Sequence, residues 1–196
     1  MKIYGSSDSG NCLKVKWVAE RLGLPFEWIE ISTFTGETRT PEFLALNPAG
    51  QVPFVVFDDG RMLAQSNAIM LYLAEGSDLI PRDNFARAKM LEWLFWEQYS
   101  HEPAIAVRFA RLHFLKMEEA QLDPALKIKG EAALARMDQH LRGSDWFVGE
   151  TLSLADIALV AYTRNAHLGG FDMPAYAAVQ AWITRVERAL ALEKAV

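Results

Sequence analysis

The chain has 196 residues and a net charge of -5, and its 20 lysine and arginine residues form no sustained basic block. This composition is typical of a globular protein of one or two domains and excludes a basic nucleic-acid-binding or anionic-membrane-binding surface. A single cysteine, Cys12, excludes an internal disulfide and a Cys-x-x-Cys redox pair. The amino terminus lacks the apolar core of a signal peptide, and no apolar run reaches membrane-spanning length, so we expect a cytoplasmic protein.

The first part of the chain predicts alternating strands and helices. An apolar strand over residues 1–4 ends at Gly5, and a polar turn leads into a helix over residues 11–22, where apolar residues recur at helical spacing. β-Branched and aromatic residues predict a second strand over residues 26–31. Pro41 then stands where a short helix would begin.

The next segment predicts a β-hairpin followed by a helix. Residues 54–57 and 61–64 flank a turn at residues 58–60, and residues 66–75 place apolar side chains on one helical face. The resulting order is β-α-β-α-β-β-α. With right-handed crossovers between parallel strands, this order predicts a four-stranded mixed sheet flanked by helices.

Beyond the hairpin segment, the pattern changes to helices alone. Residues 78–84 break the alternation, so we expect one domain over residues 1–77, a linker over 78–84 and an all-helical domain over 85–196. A long helix over residues 85–115 is expected to be interrupted at Pro103, which lacks a backbone donor.

Three further helices are predicted in this second domain. The first covers residues 124–141, and the last presents apolar positions at helical spacing over residues 179–190. Between them, a helix begins at Ser153, where Asp156 is spaced to reach back and complete a capping box.

Three polar segments of the first domain are candidates for a binding site. They are the turn from Ser6 to Cys12, the loop from Asn47 to Pro53, and the pair Gln65-Ser66 at the start of a predicted helix. A helix amino terminus offers unpaired N–H groups and a partial positive charge, so it favours anions. A hydroxyl placed there can donate to a ligand thiolate and lower its pKa.

These segments resemble the cytosolic glutathione transferase family, and a bacterial serine-type class in particular. The amino-terminal runs MKIYGSSDSGNCLKVKWVAERLGLPFEW and PEFLALNPAGQVPFVVFDDGRMLAQSNAIMLYLAE resemble the family's first domain. The run DWFVGETLSLADIALVAYT is similar to the core of its second domain. The resemblance implies a thioredoxin-like domain followed by an all-helical one, glutathione as co-substrate, and a homodimer.

The resemblance also implies which residues hold most of the glutathione molecule. The backbone of Val52 would pair with the cysteinyl part, and Pro53 would follow a cis bond, which is common only before proline. Gln65 and Ser66 would hold the γ-glutamyl carboxylate. Family members often carry an acidic residue at the position of Gln65, so this chain presents one negative charge fewer to the ammonium group of the ligand.

The two ends of the ligand have further candidates. Arg39 and Gln51 are the expected partners of the glycyl end. Near the sulfur, the spacing aligns Ser9 with the catalytic serine of serine-type transferases. Asn11 is the supporting candidate and also a rival for the sulfur, because the same alignment places it where a cysteine or asparagine acts in some bacterial classes. Cys12 is a second rival through a mixed disulfide.

The segment before Pro103 is unusually polar for the middle of a helix. Tyr99, Ser100 and His101 are therefore candidates for the pocket of the second substrate, a small hydrophobic electrophile, and a solvated polar patch is the alternative. His101 has no metal-ligand spacing with the other histidines, so no metal site is expected.

Three functions are consistent with the sequence. The favoured one is a glutathione S-transferase that activates the glutathione thiol and conjugates it to the electrophile. The alternatives are a glutathione-dependent disulfide oxidoreductase that uses Asn11 or Cys12, and a non-catalytic binding or regulatory protein that keeps only the fold.

Overall fold

The structure, a computed structural model, describes residues 1–193. It divides into two compact units, the first covering Met1–Asp78 and the second beginning at Leu79. Within residues 1–193, no helix combines the length and the apolar character that crossing a bilayer requires.

The first unit is built on a four-stranded mixed sheet, which confirms the prediction. Its strands are β1 (Lys2–Gly5), β2 (Glu27–Glu30), β3 (Phe54–Val56) and β4 (Met62–Ala64). Their spatial order is β2-β1-β3-β4. Strand β1 runs parallel to β2, whereas β3 runs antiparallel to both β1 and β4.

The strand directions bring four chain segments to one edge of the sheet. Since β3 is antiparallel to its two neighbours, the carboxyl ends of β1, β2 and β4 lie beside the amino end of β3. The register pairs Gly5 with Glu30, Tyr4 with Phe54, and Phe54 with Ala64. The turn after β1, the segment after β2, the loop before β3 and the segment after β4 therefore meet at this edge.

Three helices pack on the sheet: α1 (Gly10–Arg21), α2 (Pro41–Leu46) and α3 (Ser66–Ala74). Gly23, at φ 62°, follows the end of α1. Helix α2 begins at Pro41 as predicted, because Thr40 caps it by accepting a 3.2 Å hydrogen bond from the Phe43 N–H. Helices α1 and α3 contact each other, and the fully buried core comprises Ile3, Cys12, Val15, Val18, Val55, Ile69 and Met70.

The second unit is helical, as predicted. Its helices are α4 (Asn84–Trp96), α5 (Glu102–Phe109), α6 (Pro124–Leu141), α7 (Leu154–Thr163) and α8 (Ala177–Ala189). Residues 79 and 80, which the sequence assigns to a linker, are buried in this unit instead, and the Leu79 carbonyl accepts a hydrogen bond from the Leu154 N–H at 3.1 Å.

The long helix predicted over residues 85–115 is interrupted before Pro103 rather than at it. A π-helical turn, Glu97–His101, separates α4 from α5, and Pro103 lies in the first turn of α5. Proline has no N–H, and its ring clashes with the carbonyl four residues earlier in a regular helix. The wider π turn accommodates both effects without ending the helical run.

The capping box of α7 is confirmed and forms the centre of the helical core. The Ser153 N–H and hydroxyl donate to Asp156 at 3.0 and 2.9 Å. The other carboxylate oxygen of Asp156 accepts from the Phe147 N–H and from the Trp182 indole N–H. One buried carboxylate thus joins the start of α7, the loop before it and α8.

Candidate active site

Ser9 begins α1 and keeps its hydroxyl outside the helix capping pattern. It is the N-cap residue, with an extended backbone, and its carbonyl accepts from the N–H groups of Cys12 and Leu13 at 2.9 Å. Its hydroxyl makes no capping bond to the helix backbone and interacts with the Cys12 sulfur instead. A half-exposed donor therefore stands at a helix amino terminus, where a partial positive charge favours an anion.

Cys12 lies inside the core and is not presented to solvent. Its side chain is fully buried between α1 and its neighbours. Burial raises the pKa of the Cys12 thiol, although the Ser9 hydroxyl and the Ser6 backbone act in the opposite direction. The thiol is therefore protonated at neutral pH, which disfavours a thiolate role for this residue.

The loop before β3 is held by Asn47, a buried residue that the sequence reasoning did not single out. Its side-chain amide donates to the Gln51 carbonyl at 2.8 Å, and its oxygen accepts from the Ala49 N–H at 3.3 Å. The Val52–Pro53 peptide bond is cis, as the resemblance predicts. The sequence indicated this loop, and the tendency of asparagine side chains to bond nearby backbone groups in turns could also have indicated the role of Asn47.

Arg39 reaches this loop because Gly50 has no side chain. Gly50 has φ 59°, and a Cβ atom there would lie 2.5 Å from Arg39 Nη1 and 2.8 Å from the Thr38 carbonyl oxygen. The Arg39 guanidinium instead donates to the Ala49 carbonyl at 3.3 Å. The structure thus brings Arg39 and the exposed Gln51 to the same loop.

Gln65 and Ser66 begin α3 with an unusual backbone. Gln65 has φ 71° and ψ 111°, a conformation that costs a non-glycine residue about 1–3 kcal/mol. Its side chain is exposed, whereas Ser66 is buried and donates its hydroxyl to Asn11 Oδ1 at 3.1 Å. Asn11 therefore meets Ser66 at the start of α3.

The polar segment of the second unit divides between two environments. Tyr99, 88% exposed, and Ser100 line a cavity of about 800 Å³ between the α4–α5 junction and α6. Their role in second-substrate binding stays a prediction. His101 does not line this cavity, because its side chain is buried and its Nε2 lies 2.8 Å from Thr163 Oγ1.

The next feature is the arrangement of side chains that can bind metal ions. No group of three or more His, Cys, Asp or Glu side chains is arranged to hold a metal ion within residues 1–193.

The sheet order and the following helical unit define a two-domain protein whose first unit has a thioredoxin-like fold. The family model of the glutathione S-transferase N-terminal domain matches residues 8–75, and that of the C-terminal domain matches residues 119–185. The chain belongs to the glutathione S-transferase family, which confirms the resemblance.

Individual relatives agree with this assignment. The chain is 33% identical over 165 residues to Glutathione S-transferase 3 of Zea mays, covering 80% of this chain and 73% of that protein. The crystal structure of a glutathione S-transferase from Xanthobacter autotrophicus superposes with a TM-score of 0.89 at 46% identity, covering 95% of this chain and 92% of that one. The crystal structure of a glutathione S-transferase from Pseudomonas fluorescens superposes with a TM-score of 0.91 at 43% identity, covering 95% of this chain and 94% of that one.

Proposed function

We propose that this protein binds glutathione at the sheet edge described above and transfers it to a hydrophobic electrophile. The observation that carries the proposal is the hydroxyl of Ser9, which stands at the amino terminus of α1 without a capping bond. Ser9 donates to the glutathione sulfur, and the helix terminus favours the negative charge. The thiol proton passes to solvent, the sulfur electron pair forms the new carbon–sulfur bond, and the leaving group departs with its bonding pair.

The size of the expected effect follows from the strength of one hydrogen bond. A hydrogen bond to a charged group contributes about 1.5–3 kcal/mol, which corresponds to a thiol pKa lower by roughly 1–2. From an ordinary thiol pKa of about 8.5, this produces a substantial fraction of thiolate at neutral pH.

The remaining contacts hold the ligand by its charged ends. We assign the γ-glutamyl carboxylate to Gln65 and Ser66 at the start of α3, because a helix amino terminus binds carboxylates. The backbone of Val52, next to the cis bond to Pro53, pairs with the cysteinyl amide. Arg39 and Gln51 are assigned to the glycyl carboxylate at the loop that Gly50 leaves open.

The burial of Cys12 bears on the oxidoreductase alternative. A disulfide exchange at this residue needs an exposed thiolate, whereas burial raises the pKa of its thiol and hides the sulfur. No contact of the described residues favours exchange over conjugation.

The decisive experiment titrates the ultraviolet absorbance of the thiolate in bound glutathione. We expect a lower thiol pKa in the complex than in free glutathione, and turnover with an activated aryl chloride. Ser9→Ala should raise the bound thiol pKa, while Ser9→Thr, which keeps a hydroxyl, should restore most of the lowering. Asn11→Ala should instead weaken glutathione binding through Ser66 with little change of the thiol pKa. An equal thiol pKa in the free and bound ligand would contradict the proposal.

We also propose a homodimer in the cytoplasm. The homodimer is what the family resemblance implies. Exposed apolar side chains on each unit, Met62 and Tyr72 on the first and Phe95 on the second, are suited to such an interface. Light scattering at micromolar concentration should give twice the mass of the 22.1 kDa chain.

A further inference from the structure

Glu30, the last residue of β2, holds the turn that carries Ser9. Its carboxylate accepts hydrogen bonds from the Ser7 N–H and the Ser7 hydroxyl, each at 2.7 Å. The Trp28 indole N–H donates to the same carboxylate, also at 2.7 Å. Within residues 1–193, these are the only hydrogen bonds that Ser7 donates, although Ser7 is exposed.

Trp28 connects this carboxylate to the end of β1. Its ring lies against the backbone of Gly5, where a Cβ atom would be only 2.3 Å from the Trp28 ring. The Ile31 N–H also donates to the Gly5 carbonyl at 2.8 Å. The end of β2 therefore covers the point where β1 passes into the turn, and Glu30 reaches across from it.

Inside the turn, the Ser6 backbone and the Ser9 hydroxyl interact with the buried Cys12 sulfur. Ser9 N–H donates to the Ser6 carbonyl at 3.0 Å, and the Asp8 N–H makes a longer bond of 3.4 Å to the Ser6 hydroxyl. Ser7 and Asp8 are exposed. The two short bonds from Ser7 to Glu30 therefore join the exposed part of this turn to strand β2.

The negative charge of Glu30 disfavours a thiolate at the site, although its hydrogen bonds support the turn that carries Ser9. Partial burial works to raise the pKa of Glu30, but the bonds from Trp28 and Ser7 outweigh it and lower the pKa, so the carboxylate is ionised at neutral pH. A negative charge disfavours a nearby thiolate, and Glu30 contributes to raising the pKa of Cys12 in this way. Any benefit of Glu30 to a thiolate site must therefore come from positioning.

We propose that Glu30 is a positioning residue, which sets the location of the Ser9 hydroxyl for the bound sulfur through Ser7. This inference rests on the proposed function of Ser9 and adds a residue that does not itself touch the ligand. Positioning and charge predict opposite results when Glu30 is replaced. Loss of positioning raises the thiol pKa of bound glutathione, whereas loss of the negative charge alone lowers this thiol pKa.

The test compares Glu30→Ala and Glu30→Gln with the wild-type protein. Glu30→Ala should raise the thiol pKa of bound glutathione by about one, and lower kcat about tenfold with a smaller change of KM. Glu30→Gln leaves one acceptor oxygen for three donors. It should therefore raise the thiol pKa and lower kcat as Glu30→Ala does, but by smaller amounts. Glu27→Gln is the matched control, because Glu27 lies on the same strand, carries the same charge and has only an exposed ion pair with Lys2.

An unchanged or lowered thiol pKa in Glu30→Gln, with circular dichroism like that of the wild type, would overturn the inference. If Glu30→Ala does not fold, Glu30→Gln decides alone. Hydrogen exchange without ligand separates this inference from the proposed function. Residues 6–12 should exchange faster in Glu30→Gln than in Glu27→Gln, and equal rates would show that Glu30 does not fix the turn. A wild-type protein that does not bind glutathione would refute the proposed function. The hydrogen-exchange rates would then still test whether Glu30 fixes the turn.

Discussion

Gly50→Ala is the sharpest test of the contact between Arg39 and the loop before β3. The added methyl group would lie 2.5 Å from Arg39 Nη1, 3.0 Å from its Cζ and 2.8 Å from the Thr38 carbonyl oxygen. The guanidinium is on a flexible, exposed side chain and can move away, whereas the Thr38 carbonyl belongs to the backbone of a buried residue and cannot move without shifting the chain. The substitution therefore displaces Arg39 and also strains the loop.

Two contributions set the expected magnitudes. A non-glycine residue in the left-handed region costs about 1–2 kcal/mol, and the contact with Thr38 adds to it, so unfolding free energy should fall by about 2–4 kcal/mol. Arg39, if it holds the glycyl carboxylate, contributes a hydrogen bond to a charged group worth about 1.5–3 kcal/mol. Its displacement should weaken glutathione binding by roughly 10- to 150-fold.

Calorimetric titration with glutathione and urea unfolding measure the two effects separately. Gly60→Ala is the matched control, because Gly60 has φ 82° but no atom within 4 Å of the added Cβ. It should lose stability from the backbone alone and bind glutathione normally. Arg39→Ala should reproduce the affinity loss of Gly50→Ala, and the double variant should bind no more weakly than either. Wild-type affinity in a destabilised Gly50→Ala protein would refute the assignment of Arg39.

Three further predictions concern buried polar groups. Asp156→Asn should lower the unfolding free energy, measured by urea denaturation, by about 3–5 kcal/mol. The reason is that one amide oxygen cannot replace a carboxylate that accepts four buried hydrogen bonds. Asp145→Asn, at an exposed position, should change the unfolding free energy by less than about 0.5 kcal/mol. Arg108→Lys should lower the unfolding free energy by about 2–3 kcal/mol, because a buried ammonium cannot reproduce the two hydrogen bonds of the guanidinium and its stacking on an aromatic ring. Arg111→Lys should leave the unfolding free energy nearly unchanged. Cys12 should react with a thiol reagent about 100-fold more slowly in the folded protein than in urea, and comparable rates would contradict its burial.

The elements of this fold could be predicted where the signals are local. Pro41 marks the start of α2, and Ser153 and Asp156 mark that of α7, because both caps depend on residues within one helical turn. The support of the site could not be predicted in the same way. Glu30 and Ser7 are 23 residues apart, and they meet only because two parallel strands end at the same edge.

The division of the polar segment before Pro103 could have been predicted from helical spacing. Residues two positions apart lie on nearly opposite faces of an α-helix, so Tyr99 and His101, both candidates for one pocket, are not expected to line it together. The π turn keeps this separation, with Tyr99 exposed and His101 buried against Thr163. A proline can signal an interruption, but the type of turn that absorbs it depends on packing against α7.

The bond between Ser66 and Asn11 explains why Asn11 and Ser9 are not equivalent candidates for the sulfur. The single hydroxyl hydrogen of Ser66 is donated to Asn11 Oδ1. A carboxylate at the start of α3 must either take that hydrogen, in which case the Asn11 amide turns and donates to Ser66, or bind to N–H groups of the first turn. Asn11 is tied to Ser66 in both arrangements, and under the proposed assignment this is the γ-glutamyl end of the ligand. The Ser9 hydroxyl carries no capping bond and contacts the Cys12 thiol, a weak acceptor that a ligand thiolate can replace, so we propose Ser9 rather than Asn11 as the donor to the sulfur.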